Sequence, residues 1–118
     1  MSTPATIKFY DDGELLVNVY IHWDGYPSGA GLNLVRFLKK YTIVNGISMN
    51  ETRIVANGMG CLAAQFIKEF KDGPGGLYIH HSTDVGDYDY VVQLNSSDNL
   101  TVNAMSLEDF EQYCLTDE

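Results

Sequence analysis

Apolar and polar residues alternate along Leu15–Ile21, with Val17, Val19 and Ile21 on one side and Leu16, Asn18 and Tyr20 on the other. A second apolar run, Ile7–Tyr10, precedes it, and Asp11-Asp12-Gly13-Glu14 lies between them. Period-two alternation around an Asp-Gly pair predicts a β-hairpin. Downstream the period changes: LNLVRFLKKY places Leu34, Val35, Leu38 and Tyr41 at helical spacing with Phe37 beside them, predicting a first helix over about Gly29–Tyr41. Thr42–Gly60 reads as a connector with Asn-Gly turn signals at Asn45-Gly46 and Asn57-Gly58. CLAAQFIKEF then sets Leu62, Ala63, Phe66, Ile67 and Phe70 on one face of a second helix, which KDGPGG must end. Leu77–His81, Tyr88–Leu94 and Leu100–Ala104 read as three short strands, and Ser106-x-x-Asp109 as the cap of a short terminal helix. The expected order is ββααβββα in one domain spanning 1–118. The fold class is α+β: a five-stranded, mostly antiparallel sheet with two main helices on one face and a short C-terminal helix.

Composition narrows the function. The chain has 118 residues, enough for one core, and a net charge of −9. Its seven Lys and Arg are too few for a phosphate-tracking surface, so nucleic acid is not an expected partner. Lys39, Lys40, Lys68 and Lys71 read as the solvated ends of two helices. No apolar run approaches the roughly 18 residues of a membrane span, so no membrane partner is expected. The opening MSTPATIKFY has neither the basic nor the apolar stretch of a signal peptide, and Cys61 and Cys114 have no metal-ligand spacing. Reduced thiols in the cytoplasm are the expectation.

Candidate chemistry concentrates in HWDGYPSGAG, residues 22–31. A turn alone accounts for Asp24, Gly25, Pro27 and Ser28. Gly29 and Gly31 are different, because a glycine entering a helix costs about 1 kcal/mol relative to alanine. Two compensations are open: close approach of another backbone, or an anion on exposed helix-start amides. Asn57-Gly58-Met59-Gly60 repeats the arrangement ahead of the second helix. If the two glycine segments converge, Trp23, Asp24, Tyr26, Gly29, Gly31, Arg53, Asn57, Gly58 and Gly60 form a pocket for a small anionic, nucleotide-like or aromatic molecule. The plainer reading is a tight turn at Gly58 and Gly60, with Met59 and Cys61 as core. Trp23 is expected to be largely buried as the anchor of the junction.

At these residues the chain resembles a family of small phage and bacterial proteins. That family is marked by a strand ending in H/Q-W-D-G-Y-P, a glycine-rich helix start, A-N-G-M-G-C-L-A-A-Q and an acidic-aromatic strand, matched here by His22–Pro27, Gly29–Gly31, Ala56–Gln65 and Asp87–Val92. The resemblance implies a phage or prophage origin and no catalytic assignment.

Three function classes follow. The first is a non-catalytic binding protein of phage or mobile-element type, taking a small anionic ligand or modulating a host protein. The second is a small enzyme using Cys61 as nucleophile with His80 or His81 as base, or the His22/Asp24 pair. The third is an acidic decoy that occupies a basic host protein. His22-x-Asp24 has the spacing of two ligands of a facial iron triad, but the double-sheet barrel that carries such a triad exceeds this chain. No metal or cofactor is therefore expected, and His22 is expected to cap the junction or pack on Trp23. The run Asp84, Asp87, Asp89 with Tyr88 and Tyr90 reads as a charge-protected strand edge. The oligomeric state is left open.

Overall fold

The Asp-Gly signal does what its backbone preference dictates. In the computed structural model, which describes residues 2–116, β1 (Ala5–Asp11) and β2 (Glu14–Ile21) pair antiparallel across Asp12-Gly13. Both turn residues have positive φ, 51° and 82°, as a type I′ hairpin requires. A π-helical turn at Pro27–Gly31 then leads into α1 (Leu32–Lys39), and β3 (Thr42–Val44) and β4 (Val55–Asn57) form a small parallel pair. Next come α2 (Gly58–Phe70), β5 (Leu77–His80), β6 (Tyr88–Leu94), β7 (Leu100–Val102), β8 (Met105–Ser106) and α3 (Leu107–Thr116).

The α+β class holds, with corrections to its strands. The main sheet has six strands in the order β5-β2-β1-β6-β7-β8 and is mixed, because β6 pairs parallel to β1 at its centre. The expected five-strand, mostly antiparallel ββααβββα arrangement fails in three places. The connector 42–60 contains β3 and β4, each too short to show an alternating pattern. A further hairpin joins β7 to β8 through Asn103-Ala104, both at positive φ without a glycine to announce it. Residues 81–87, which read as a hairpin turn, instead carry the chain from the β5 edge across β2 and β1 to β6. The first helix starts at Leu32, later than expected, because the Pro27–Gly31 turn precedes it.

One face of the sheet carries the apolar core. Ala5, Ile7 and Phe9 of β1, Val19 of β2, and Tyr90 and Val92 of β6 are buried on it. Against them pack Leu34, Val35, Phe37 and Leu38 of α1 and Met59, Leu62, Ala63 and Phe66 of α2. Phe37 meets Phe66 edge-to-face at 5.4 Å and Phe66 meets Phe9 at 5.6 Å, so aromatic rings tie both helices to the sheet. Phe110 and Cys114 bury α3 beneath the Pro27–Gly31 turn, and the Asp109 amide donates to Ser106 Oγ at 3.2 Å as the capping pattern predicts.

The other face is polar yet buried. Thr6, Lys8 and Asn18 alternate with the core residues and would face water if the sheet were open there. Residues 81–87 cover them. Lys8 Nζ donates to Asp89 Oδ1 at 2.6 Å and to the Asp84 carbonyl at 3.0 Å. Asn18 Nδ2 donates to the carbonyls of His81 and Asp84, Thr6 Oγ1 donates to Asp89 Oδ1, and the Gly86 amide donates to Thr6 Oγ1. Side chains of the two leading strands thus supply the partners that a covering helix would have found within itself.

Removing Asp89 from this ion pair leaves the buried Lys8 ammonium without its carboxylate. Asp89→Ala is expected to cost about 3 kcal/mol in urea unfolding. Lys8→Met with Asp89→Ala is expected to lose less than the two single variants added together. Strictly additive losses would refute the coupling.

Candidate functional site

β2 ends at Ile21, whose side chain faces the core, and the chain then has to leave the sheet and start a helix. It does so through Asp24, held at φ 58°, a conformation that Asp tolerates better than most residues. Gly25 is drawn against β1: its amide donates to the Thr3 carbonyl at 2.7 Å, and a Cβ there would lie 2.7 Å from that of Ala5. Tyr90 Oη reaches up from the core to donate to the Gly25 carbonyl at 2.7 Å. Pro27 is buried beside it.

Because Gly25 and Pro27 take the inward positions, Trp23 is turned out. It is 57% exposed, which corrects the expectation of a buried anchor. Its indole lies over Gly76, where a Cβ would stand 3.3 Å from the ring, and the His22 amide donates to the Gly76 carbonyl at 2.8 Å. His22 packs edge-on to Trp23 at 5.0 Å, as expected, and its Nδ1 lies 3.1 Å from Tyr20 Oη.

The junction glycines answer to packing. A Cβ on Gly31 would come within 2.8 Å of Cys114 Sγ, and one on Gly29 would collide with the Asp24 carbonyl. The amides that would serve an anion are already engaged: Gly29 donates to Tyr26 O at 2.9 Å and Ala30 to Asp24 O at 2.8 Å. The phenol of Tyr26 donates to Asp24 Oδ1 at 3.1 Å, and the carboxylate beside it raises the Tyr26 pKa above the ordinary value.

The second glycine segment lies elsewhere. Gly58 has φ +84° and Gly60 meets nothing within 4 Å, so neither is pressed against the first segment. Asn57 Oδ1 accepts from the Gly46 amide at 2.7 Å. Arg53 is held by Glu51 through two bonds of 2.8 Å, and that guanidinium lowers the Glu51 pKa to about 2. Of the nine residues proposed from sequence, Trp23 and Asp24 line a cleft at the junction, while Arg53, Asn57, Gly58 and Gly60 stand apart from it.

That cleft has a volume of about 370 Å³ and opens where β1, β2 and β5 meet the start of α1 and the end of α2. Ile7, Ile21 and Leu77 of the sheet form its floor, and Phe66 and Phe70 of α2 form one wall. Ala30 and Asn33 close the opposite side. Asp72, Pro74, Gly75 and Gly76 curl over from the end of α2, with Gly73, Gly75 and Gly76 all at positive φ, and Trp23 stands at the rim. Sequence reasoning took KDGPGG only as a helix stop, so it missed Asp72 and this loop. The dense glycines in it were the available signal, since three left-handed residues in a row of six shape a loop as well as end a helix.

Several cationic side chains are held in ion pairs. Arg36 and Lys39 bind Glu111 of α3, at 3.4 and 2.8 Å, and Lys40 binds Glu69 of α2 at 2.9 Å. Cys61 is half-buried on α2 outside the cleft, and His80 stacks on Tyr20 at 4.2 Å with its Nδ1 3.2 Å from Asp84. Among the described residues no group of three or more His, Cys, Asp or Glu could hold a metal ion, and no helix is long and apolar enough to cross a membrane. No family model matches the chain, and neither a curated protein nor a solved structure matches it.

The glycines separate cleanly by substitution. Gly31→Ala is expected to lower stability by about 1–3 kcal/mol through overpacking on Cys114, with partial recovery in Gly31→Ala/Cys114→Ala. Gly60→Ala, in open space on α2, is expected to raise stability by about 0.5–1 kcal/mol. Thermal unfolding of the set decides, and a neutral Gly31→Ala would contradict the packing role.

Glu51 gives a pH signature. Its folded pKa is depressed, so its contribution is present above the ordinary carboxylate range and lost as pH falls toward about 2. Carboxyl chemical shifts should show Glu51 titrating near that value, and Arg53→Gln should raise it part of the way back, since the Arg53 backbone amide still donates to Glu51 Oε2. An ordinary titration in the parent protein would exclude the pair in solution.

Proposed function

We propose that the protein acts by binding a small molecule in the cleft beneath Trp23 and performs no chemistry on it. The observation that carries this reading is an indole more than half exposed at the rim of an apolar-floored cleft. A large aromatic left in water is stabilised by covering it, and a concave site lined by apolar groups with a few polar ones is the usual form of a ligand pocket. The volume falls within the range of such pockets. The enzyme reading has less support, because Cys61, His22 and His80 lie outside the lining and Asp24 is the only residue proposed for catalysis that reaches it. The resemblance carried by His22–Pro27 and Ala56–Gln65 supports a phage or mobile-element setting for this binding role.

Trp23 is the sole tryptophan, so intrinsic fluorescence reports on the cleft directly. The unliganded protein is expected to emit at long wavelength with ready quenching, and Trp23→Ala is expected to cost less than about 1 kcal/mol, as an exposed substitution does. A collection of small aromatic and aliphatic fragments, screened by amide spectra, should give hits that shift Trp23, Asn33, Phe70 and Gly76 together and vanish in Trp23→Ala. Hits confined to other surfaces, or none, would overturn the reading.

A further inference from the structure

We infer that the ligand of this cleft is an organic cation, an ammonium group carried on an apolar body. The inference rests on the binding role proposed above and specifies its chemistry. Among the described residues the ionisable side chains lining the cleft are Asp24 and Asp72, and no Lys, Arg or His contributes to the lining. Lys71, the nearest cation in sequence, does not line the cleft, and its Nζ is engaged by the carbonyls of Gly75 and Leu77, 5.4 Å from the Tyr78 ring centroid.

Each part of the cleft then has a counterpart in such a molecule. Phe66, Phe70 and Leu77 offer an apolar surface for its body. The exposed face of Trp23 attracts a cation through the negative potential of its π system. Asp24 is fixed in place by its own backbone, whose carbonyl accepts the Ala30 amide, and by the Tyr26 phenol on Oδ1, so its carboxylate is held at the rim before any ligand arrives. Asp72 supplies a second negative charge from the loop over α2. An anion would meet two like charges, and the amides of Gly29, Ala30 and Gly31, bonded within the turn, offer it no compensating donor. The net charge of −9 adds a long-range attraction for cations.

Three probes of one shape and different charge test this: 2-phenylethylamine, protonated at neutral pH, 2-phenylethanol and phenylacetate. Titration into the full chain is followed by Trp23 fluorescence and amide spectra. The amine is expected to saturate with an affinity on the order of tenfold above that of the alcohol, with phenylacetate weakest. Asp24→Asn/Asp72→Asn is expected to bring the amine down to the level of the alcohol without lowering the melting temperature, since Asn also tolerates the left-handed conformation at position 24. Equal binding of amine and alcohol, or preference for phenylacetate, overturns the cation while leaving the cleft as a binding site. No response of Trp23 to any probe at millimolar concentration overturns both.

Discussion

The ion pair between Lys8 and Asp89 is the interaction on which the rest of the architecture depends. Parallel strands are ordinarily joined by a crossover that carries a helix, because the covering layer must satisfy its own backbone as it shields the sheet. Here the covering layer is the bare segment 81–87, which cannot do so. Lys8 and Asn18 provide the missing donors to its carbonyls, and Thr6 and Asp89 complete the network. A lysine is rarely buried without a partner, and this one has a carboxylate on the neighbouring parallel strand. The polar face therefore stores its cost in desolvation and regains it through geometry, so β6 is specified as the neighbour of β1 by charge as well as by shape.

That specification leaves the helix-covered face for apolar packing alone. Both main helices sit on it, and their aromatic side chains crowd toward Phe9 and Phe37. At the end where α2 finishes at Phe70, the chain turns back through positive-φ glycines instead of closing the layer, and the cleft is the space left over. Trp23 leans over the same glycine loop from the other side. The site is thus a product of where the two helices stop, with its acidic rim set by Asp24 and Asp72.

Much of this was legible in the residues. Asp12-Gly13 named the hairpin because few other dipeptides accept two positive φ angles, and Leu62, Ala63 and Phe66 named α2 by their spacing. Ser106 and Asp109 named the start of α3. What escaped was governed by distance. The polar stretch 81–87 has the composition of any turn, and nothing local distinguishes a loop that closes a hairpin from one that crosses a sheet. The burial of Lys8 has no local signal for the same reason, its partners lying more than seventy positions away. Trp23 was misplaced because burial is the default for an aromatic at a junction, whereas here Gly25 and Pro27 fill the interior. The glycine segments were correctly marked as unusual, but the cause at Gly31 is a sulfur atom on the last helix.

The parallel β1–β6 pair also sets the order in which the protein can be made. β1 emerges from the ribosome before the other strands of its sheet and gains β2 at once through the hairpin, but its other edge, along Ala5–Phe9, has to wait for Tyr88–Val92. Throughout synthesis of the intervening chain that edge offers unpaired backbone groups and Ile7 and Phe9 to any passing strand. The acidic bias gives little repulsion between nascent copies in this interval, because all seven Lys and Arg precede Tyr88 whereas seven of the sixteen Asp and Glu follow it. A small sheet closed by its late strands is in this way a chain whose negative charge arrives together with the strands that close it, too late to shield the open edge during translation.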